Sequence, residues 1–492
     1  MRDLTQYLIN MKAKFVCAAI CAVLLSTLPL VSVSCESETA SLAERVSYDL
    51  TVTVDEAENK TTVDMTVTVP NVFEEGLKEL VFSFYPDAFT LKSPPPVDDT
   101  MISAAYPYGI NAGGYTFLQA GGENVKSVSL CETRCRITVA LEKPLAIGES
   151  AVVRFSYDLT LPLCNTRYGY NDFSVNLTFF YPVLCRYDAA SGDFEFNDYI
   201  ATGDPFVFDV AEYSLALDCP EAWAVACSAP ETRSENGVRY YHSHSLRDLS
   251  LFLAPDAEVT TVTKGGYTAT AIHDGSFGYA ATYAADALDI FSQAFGELPE
   301  KHYYIIFTPF MTAGAEFSNA AIVSSGLSFA EVEKTVAHEV AHQWWYNLVG
   351  SDQVKAPWQD EALAQWSTLL YFGKRGMKSY ADTLLKGYSD FYNDYLTTQR
   401  SLGENALCDV NRATTEYRDQ TDYFATVYCK ALLAVEITAQ SVTRDGLCKA
   451  LSLYVKNNCL SFAYPEDLYE ALNSYREGAG ALLRNSLNVS PY

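Results

Sequence analysis

The segment His338-Glu339-Val340-Ala341-His342 constrains this chain more than any other, because it places two imidazoles four residues apart with a carboxylate between them. Positions i and i+4 of a helix share one face, so both imidazoles can point at one ion. Glu361 follows after 18 intervening residues, in the first turn of a second predicted helix that has Pro357 at its start. Two histidines and one glutamate form a known ligand set for catalytic zinc, which keeps a fourth position for water. The sequence therefore predicts one zinc ion held by His338, His342 and Glu361.

Glu339 is a candidate base for this zinc site, since it lies beside the ligands without being one. Zinc lowers the pKa of a coordinated water from about 15.7 to about 7, and a neighbouring carboxylate can then accept the proton. The alternative is that these are ordinary residues of an amphipathic helix. Two observations favour the metal: two of only six histidines stand here at ligand spacing, and Ser328 with Glu331 forms a capping-box pattern that independently predicts a helix.

The composition of the 492-residue chain indicates a folded, multi-domain protein. The length suits two or three domains, and 49% apolar with 13% aromatic residues can form substantial cores. The formal charge of −27 argues against a nucleic-acid partner, because phosphate binding needs basic patches. The same charge favours a soluble, monomeric protein.

Residues 1–35 are predicted to be a targeting segment. Lys12 and Lys14 precede an apolar run over 15–33, and polar residues follow. This order of basic, apolar and polar residues is typical of a signal peptide. It predicts export, with membrane contact limited to the amino-terminal segment.

The end of this segment leaves three modes of export open. Val33-Ser34-Cys35 is similar to a bacterial lipobox, in which the cysteine is lipidated after cleavage, whereas simple cleavage or an uncleaved anchor are the alternatives. Either Met1 or Met11 can be the start. Residues 36–43 are then a linker. The predicted location is the extracellular face of the cell membrane as a bacterial surface lipoprotein, or the medium.

Ten cysteines follow Cys35, and an exported protein can form disulfides. Cys131 and Cys135 flank one short segment, and Cys219 and Cys227 flank another, so each pair could face across a hairpin. The alternative is free buried thiols, which are common. Both interpretations stay open.

Residues 44–263 read as β structure. Alternating apolar and polar runs over 48–54, 61–69 and 151–157 are separated by Gly, Pro, Asn and Asp. Helix-length periodic segments are nearly absent there. We therefore expect an all-β domain of sandwich or saddle type, with its boundary near Lys264.

Residues 264–492 change to α+β character, with a small sheet before a helical half. Apolar periodicity and turn signals predict strands over 302–308 and 322–325, and further helices over 279–295, 379–396, 423–440, 444–456 and 465–475. Trp344 and Trp345 are expected in the core.

The zinc motif with its 18-residue spacing resembles that of the gluzincin aminopeptidases of the membrane alanyl aminopeptidase family, which includes the leukotriene hydrolase. The likeness runs from about residue 45 to the end. Its further segments are Phe179-Phe180-Tyr181-Pro182, Gly203-Asp204-Pro205-Phe206, Ala211-Glu212-Tyr213 and Val427-Tyr428-Cys429-Lys430. The resemblance implies an α+β multi-domain protein in which an all-β saddle precedes a thermolysin-like zinc peptidase domain.

Two further site residues are implied by position within this resemblance. Glu316 falls where the family has Gly-Ala-Met-Glu-Asn, whose glutamate binds the substrate's α-ammonium, although Ala315 and Phe317 depart from that pattern. An exposed loop glutamate is the alternative. Tyr428 matches the tyrosine that donates a hydrogen bond to the oxyanion of the tetrahedral intermediate, with Cys429 departing from the pattern beside it.

The resemblance implies a zinc aminopeptidase that acts on peptides with a free amino terminus. A zinc endopeptidase of the same fold and a catalytically silent surface lipoprotein are the alternatives. Asp360 either orients a ligand or is an ordinary acid at a helix amino terminus. Many relatives have additional carboxy-terminal domains over the cleft; without them we expect an open cleft, or one that a partner covers.

Overall fold

The computed structural model describes residues 45–55, 60–73, 76–92, 94–131, 135–403 and 409–488. The predicted signal segment, Cys35 and the linker over 36–43 lie outside the described residues. Within the described ranges, no helix has both the length and the apolar character needed to cross a bilayer.

The amino-terminal half is built from strands, as predicted. These are β1 (Ser47–Asp55), β2 (Lys60–Pro70), β3 (Leu77–Ser83), β4 (Gly114–Glu123), β5 (Val125–Leu130), β6 (Arg136–Leu145), β7 (Ser150–Thr160), β8 (Tyr168–Tyr170), β9 (Val175–Leu177), β10 (Val183–Leu184), β11 (Arg186–Asp188), β12 (Asp193–Glu195), β13 (Ala211–Asp218), β14 (Ala224–Cys227), β15 (Glu231–Glu235), β16 (Val238–Leu246) and β17 (Leu251–Ala254). Ile102–Ala105 is a single helical turn among them.

A seven-stranded sheet in the order β15-β16-β13-β1-β2-β7-β4 is the largest layer of this half. Its β1 alternates buried and exposed residues, so that Leu50 and Val52 face the core while Asp49 and Thr51 face out. Two four-stranded sheets, β10-β3-β6-β5 and β14-β17-β9-β8, complete the apolar core with it. Cys219 and Cys227 are free, buried thiols, as one of the two interpretations had it.

The carboxy-terminal half combines a five-stranded sheet and a short two-stranded sheet with a helical layer. The strands are β18 (Glu258–Lys264), β19 (Tyr267–His273), β20 (His302–Thr308), β21 (Gly314–Phe317), β22 (Ala320–Ser324), β23 (Val349–Gly350) and β24 (Ser461–Phe462). The helices of ten or more residues are α1 (Ala280–Phe295), α2 (Phe329–His342), α3 (Trp358–Lys374), α4 (Lys378–Ser401), α5 (Ala431–Val442), α6 (Arg444–Asn458), α7 (Pro465–Tyr475) and α8 (Ala479–Asn488). Trp344 and Trp345 are buried in their shared core, as expected.

The five-stranded sheet has the order β18-β19-β20-β22-β21. β18 pairs with β19 across the Gly265-Gly266 turn, so this sheet starts at Glu258 and a boundary near Lys264 would divide a hairpin. Strand pairing therefore assigns β18 to the sheet of the carboxy-terminal half. The sequence alone does not show this pairing, because β18 continues the alternating pattern of the preceding strands.

Arg247 joins the two halves close to the zinc motif. Its guanidinium is buried and donates to the carbonyl oxygens of Phe208 at 2.8 Å, Tyr346 at 2.7 Å and Ser461 at 3.0 Å. A buried charge is tolerated when its donors are satisfied in this way. Arg247 thereby fixes the chain that follows α2 against the amino-terminal half.

Replacing Asp422 by Ala is expected to lower the free energy of unfolding by about 3–5 kcal/mol, because the change leaves the Arg412 guanidinium buried without its carboxylate. Asp422 accepts from Arg412 at 2.9 and 3.0 Å and from the Tyr395 hydroxyl at 2.8 Å. Burial acts to raise the pKa of Asp422, but these bonds lower it overall. The stabilisation is therefore present above the ordinary pKa of 3.8 and is lost as the pH falls through the lower folded-state value.

Denaturant unfolding at neutral and acidic pH measures this difference. Asp390→Ala is the matched control, since Asp390 is exposed on α4 and pairs with Lys386; its effect should stay within about 0.5 kcal/mol. Equal effects of the two substitutions at neutral pH would contradict the prediction.

Candidate metal centre and active site

Helix α2 presents both histidines of the motif to one side. The predicted capping box is present, with Ser328 and Glu331 bonded reciprocally at its first turn. One helical turn separates His338 from His342, and their side chains are 14% and 1% exposed. The two ligands are therefore fixed by one rigid element and nearly shielded from water.

The structure brings His338, His342 and Glu361 together. Their facing atoms form a triangle: Nε2 to Nε2 is 3.2 Å, Nε2 of His338 to Oε2 of Glu361 is 3.2 Å, and Nε2 of His342 to the same oxygen is 3.7 Å. Ligand atoms about 2.0–2.1 Å from a tetrahedral zinc ion lie about 3.3–3.4 Å from one another. These residues have the spacing that one zinc ion requires.

The buried environment of the triangle also favours the binding of a cation. Within the described part of the chain, Oε2 of Glu361 is buried and has no hydrogen-bond donor. Burial raises the pKa of Glu361 well above its ordinary value, and it lowers the pKa of His338 well below its own. The neutral imidazole is the form that binds a metal, and a cation would offset the cost of burying the Glu361 carboxylate without a donor.

Asp360 occupies the position of an orienting residue. Its Oδ1 lies 2.6 Å from Nδ1 of His342, on the side of the ring away from Glu361. Burial acts to lower the pKa of His342, yet Asp360 and Glu316 raise it overall, so positive charge is favoured here. A carboxylate on the second ring nitrogen fixes the tautomer and orientation of a ligating histidine.

Gln353 is a site residue that the sequence analysis missed. Its Nε2 donates to Oε1 of Glu316 at 3.1 Å and to Oδ2 of Asp360 at 2.6 Å. It lies in the loop before α3, where a lone polar residue gives no periodic signal. One amide therefore connects Glu316 with the residue that contacts His342.

Glu339 faces the cleft from α2, opposite strand β21. Its carboxylate occupies the space that a side chain at Gly314 would need, so glycine at that position leaves room for it. Burial raises the pKa of Glu339 well above its ordinary value, with Glu316 and Asp360 adding to the shift. A carboxylate in such a setting binds a proton readily, which is what a general base needs.

Glu316 lies on β21 and not in an exposed loop. It is partly buried, and its carboxylate lies within 4.8 Å of ligand atoms of Glu339 and His342. Burial raises the pKa of Glu316 to about 7, with Asp204 and Asp360 contributing. A cationic group entering the cleft would meet a concentration of carboxylates here.

Tyr428 lies in a π-helical segment, Phe424–Lys430, between a short helical turn and α5. Its hydroxyl donates to Oε1 of Glu361, and its ring centroid is 6.2 Å from that of His338. Burial and the Glu361 charge raise its pKa, so the phenol stays protonated and can act as a donor. The wider turn of a π-helix is common at functional sites.

A cleft of about 130 Å³ lies between the two halves and is bordered by Glu316, His338, Glu339, Glu361 and Tyr428. The amino-terminal half contributes Arg167 and Asp204, which form an ion pair, and Tyr199. Asp204 was noticed in the sequence only as part of a family-like segment. The cleft therefore combines the candidate ligand triangle, the Glu339 carboxylate, the Tyr428 phenol and the carboxylates of Glu316 and Asp204, which we call its anionic end.

Residues 299–489 match the profile of the peptidase family M1 domain. Among curated proteins, Aminopeptidase N of Plutella xylostella is 24% identical over 163 residues, which is 32% of this chain and 16% of that protein. Aminopeptidase M1 of Arabidopsis thaliana is 24% identical over 213 residues, which is 40% of this chain and 23% of that protein. The chain thus spans less than a quarter of the length of these relatives.

Solved structures agree over a much larger part of the chain. The M1 zinc metallopeptidase from Deinococcus radiodurans has a TM-score of 0.63 at 19% identity and covers 91% of this chain and 95% of its own. A two-domain M1 zinc metallopeptidase mutant bound to L-arginine has a TM-score of 0.64 at 18% identity, covering 90% and 94%. The predicted α+β multi-domain fold is confirmed, and the family match confirms the gluzincin resemblance.

Proposed function

Because residues 299–489 of this chain match the peptidase family M1 domain, we propose that the protein is a zinc aminopeptidase that releases amino-terminal residues from peptides. The observation that carries the proposal is the ligand triangle of His338, His342 and Glu361, with Glu339 and Glu316 in the same cleft. A zinc ion bound there supplies Lewis acidity and a water of lowered pKa.

Different side chains of this cleft carry out the remaining steps of hydrolysis. Glu339 accepts the proton of the attacking water and passes it to the nitrogen of the departing amine, so that the peptide C–N bond breaks as the new C–O bond persists. Tyr428 donates its hydroxyl hydrogen to the carbonyl oxygen as negative charge develops there. Asp360 holds His342 in the ligating orientation.

Glu316 sets the register from the amino end. An ammonium bonded to this carboxylate places the first carbonyl carbon only two bonds, about 2.5 Å, from the ammonium nitrogen. A structural neighbour from Deinococcus radiodurans is described as bound to a Tyr-Ser-Ala substrate, which has a free amino terminus. We extend that substrate class to this chain.

A panel of aminoacyl anilides and Tyr-Ser-Ala, each free or N-acetylated and with or without a chelator, tests the proposal. We expect hydrolysis of the free-amine compounds only, lost with chelator and restored by zinc. Equal cleavage of blocked and free compounds would indicate an endopeptidase. Stoichiometric zinc without any turnover would indicate a binding protein.

Glu316→Gln is expected to lower kcat/KM on free-amine substrates by about 10- to 100-fold, because a charge-assisted bond of about 1.5–3 kcal/mol is lost. The variant should also lose most of the preference for free over N-acetylated substrate. Parallel assays of both substrates measure this ratio. Glu297→Gln, an exposed carboxylate paired with Lys301, is the control; an unchanged ratio in Glu316→Gln would refute the assigned register.

Tyr428→Phe is expected to reduce kcat by about 10²- to 10³-fold, the typical cost of one oxyanion donor. KM should change little, since the donor acts mainly in the transition state. Steady-state kinetics at equal zinc content give both parameters. Tyr464→Phe removes the hydroxyl of an exposed tyrosine and should match wild type; a rise in KM alone for Tyr428→Phe would argue for substrate binding instead.

The proposed location is the outer face of the cell membrane, with attachment through the amino-terminal segment and no further membrane contact, as a monomer. The support is the basic and apolar order of residues 12–33 and the lipobox-like Cys35. Fractionation of cells that express the full chain tests this, and recovery from the cytosol would contradict it.

A further inference from the structure

A second cluster of metal-ligating side chains lies on the amino-terminal half, outside the catalytic cleft. It consists of Glu212 on β13 and of His242 and His244 on β16. Residues i and i+2 of a strand share one face. Because Tyr241 and Ser243 are buried, both histidines project from the outer face of the seven-stranded sheet.

The ligand atoms of this cluster face one another. Nε2 of His242 lies 3.3 Å from Nε2 of His244 and 3.6 Å from Oε1 of Glu212. The ring of His244 also approaches Glu212, with Nδ1 at 3.1 Å from the same oxygen. His244 therefore faces His242 through Nε2 and Glu212 through Nδ1, and one ligand atom from each of the three residues lies within 4.8 Å of the others.

His242 is held in the orientation that such a site needs. Ser214 on the neighbouring strand has its Oγ 3.1 Å from Nδ1 of His242, so Nε2 is directed at the other two residues. A hydrogen bond on the second ring nitrogen is the usual support of a ligating histidine. Arg45 lies nearby and interacts electrostatically with Glu212, while its guanidinium donates to the His244 carbonyl oxygen at 3.0 Å and to Ser245 Oγ.

We propose that Glu212, His242 and His244 form a second, surface binding site for a zinc-class divalent ion. Two imidazole nitrogens with one carboxylate suit Zn²⁺, Cu²⁺ or Ni²⁺, whereas Ca²⁺ and Mg²⁺ prefer oxygen ligands throughout. The side chains are 26%, 33% and 56% exposed, so an ion can enter directly from solvent. The chain's charge of −27 also attracts cations.

Zinc binding to the chelator-stripped full chain tests this proposal by calorimetry and elemental analysis. We expect two equivalents for wild type and one for the His242→Ala/His244→Ala double variant, with peptidase activity of the double variant unchanged. His338→Ala should keep the surface equivalent while losing the catalytic one. The experiment can therefore contradict the surface-site proposal and the catalytic-site proposal independently of each other.

His302→Ala is the matched control, because it removes a strand histidine that belongs to neither cluster. It should bind two equivalents. Circular dichroism and melting in chelator verify that each variant is folded, which the exposure of His242 and His244 favours. One equivalent in wild type, or two in the double variant, would overturn the proposal.

Discussion

Glu339→Gln is expected to lower kcat by about 10²- to 10⁴-fold while zinc stays bound, since the amide matches the carboxylate in shape but accepts no proton. The structure indicates that this substitution leaves the proposed zinc ligands in place. The Glu339 side chain is buried on α2 and lies against Gly314, where an added side chain would contact its carboxylate. Glu339 is not one of the three residues of the ligand triangle. Binding of substrate should therefore persist while turnover fails.

Steady-state kinetics and zinc analysis of the same preparation give the decisive comparison. Glu297→Gln serves as control, because it makes the same chemical change at an exposed position. If Glu339→Gln retained zinc and turned over at the wild-type rate, the carboxylate would not be the base and the silent binding-protein alternative would gain support. If zinc were lost, Glu339 would have a role in the ligand set.

His338→Ala should abolish hydrolysis and remove the catalytic equivalent of zinc, because two ligands cannot replace three. The imidazole contributes the corner of the triangle that lies 3.2 Å from both other ligand atoms. Its loss also removes the imidazole nitrogen that lies 3.2 Å from the buried oxygen of Glu361. Added zinc at moderate excess should therefore restore little activity.

Metal analysis and anilide hydrolysis across a zinc titration measure this outcome. His302→Ala is again the matched variant and should keep full activity, since it loses an imidazole that bonds Thr270 on the adjacent strand. Wild-type activity of His338→Ala at ordinary zinc concentrations would contradict the assignment of the triangle as the catalytic centre.

The proximity of His338, His342 and Glu361 was predictable because the information for it is local. The spacing of His338 and His342 specifies one helix face, and Glu361 is the acid in the first turn of the next helix. The capping box at Ser328 identified the start of α2 independently. Glu316 and Tyr428 needed the family resemblance, since a glutamate and a tyrosine of this chain carry no distinctive spacing of their own.

The remaining features depend on contacts between distant segments. Gln353 acquires its role only when its loop folds between Glu316 and Asp360. The π-helical segments Gln343–Leu348 and Phe424–Lys430 differ from α-helix by one residue per turn, which apolar periodicity does not resolve. The sheet to which β18 belongs likewise depends on its pairing with β19, a strand that lies beyond the predicted domain boundary.

In the proposed mechanism, the amide of Gln353 couples substrate recognition to catalysis, because it donates to both Glu316 and Asp360. Any shift of Glu316 as it meets a substrate cation is transmitted through one side chain to Asp360 and hence to the ring of His342. Attempts to broaden the choice of substrate by redesigning the anionic end would therefore also disturb the reactivity of the ion. Specificity here is better altered from the amino-terminal half, where Tyr199 borders the same cleft.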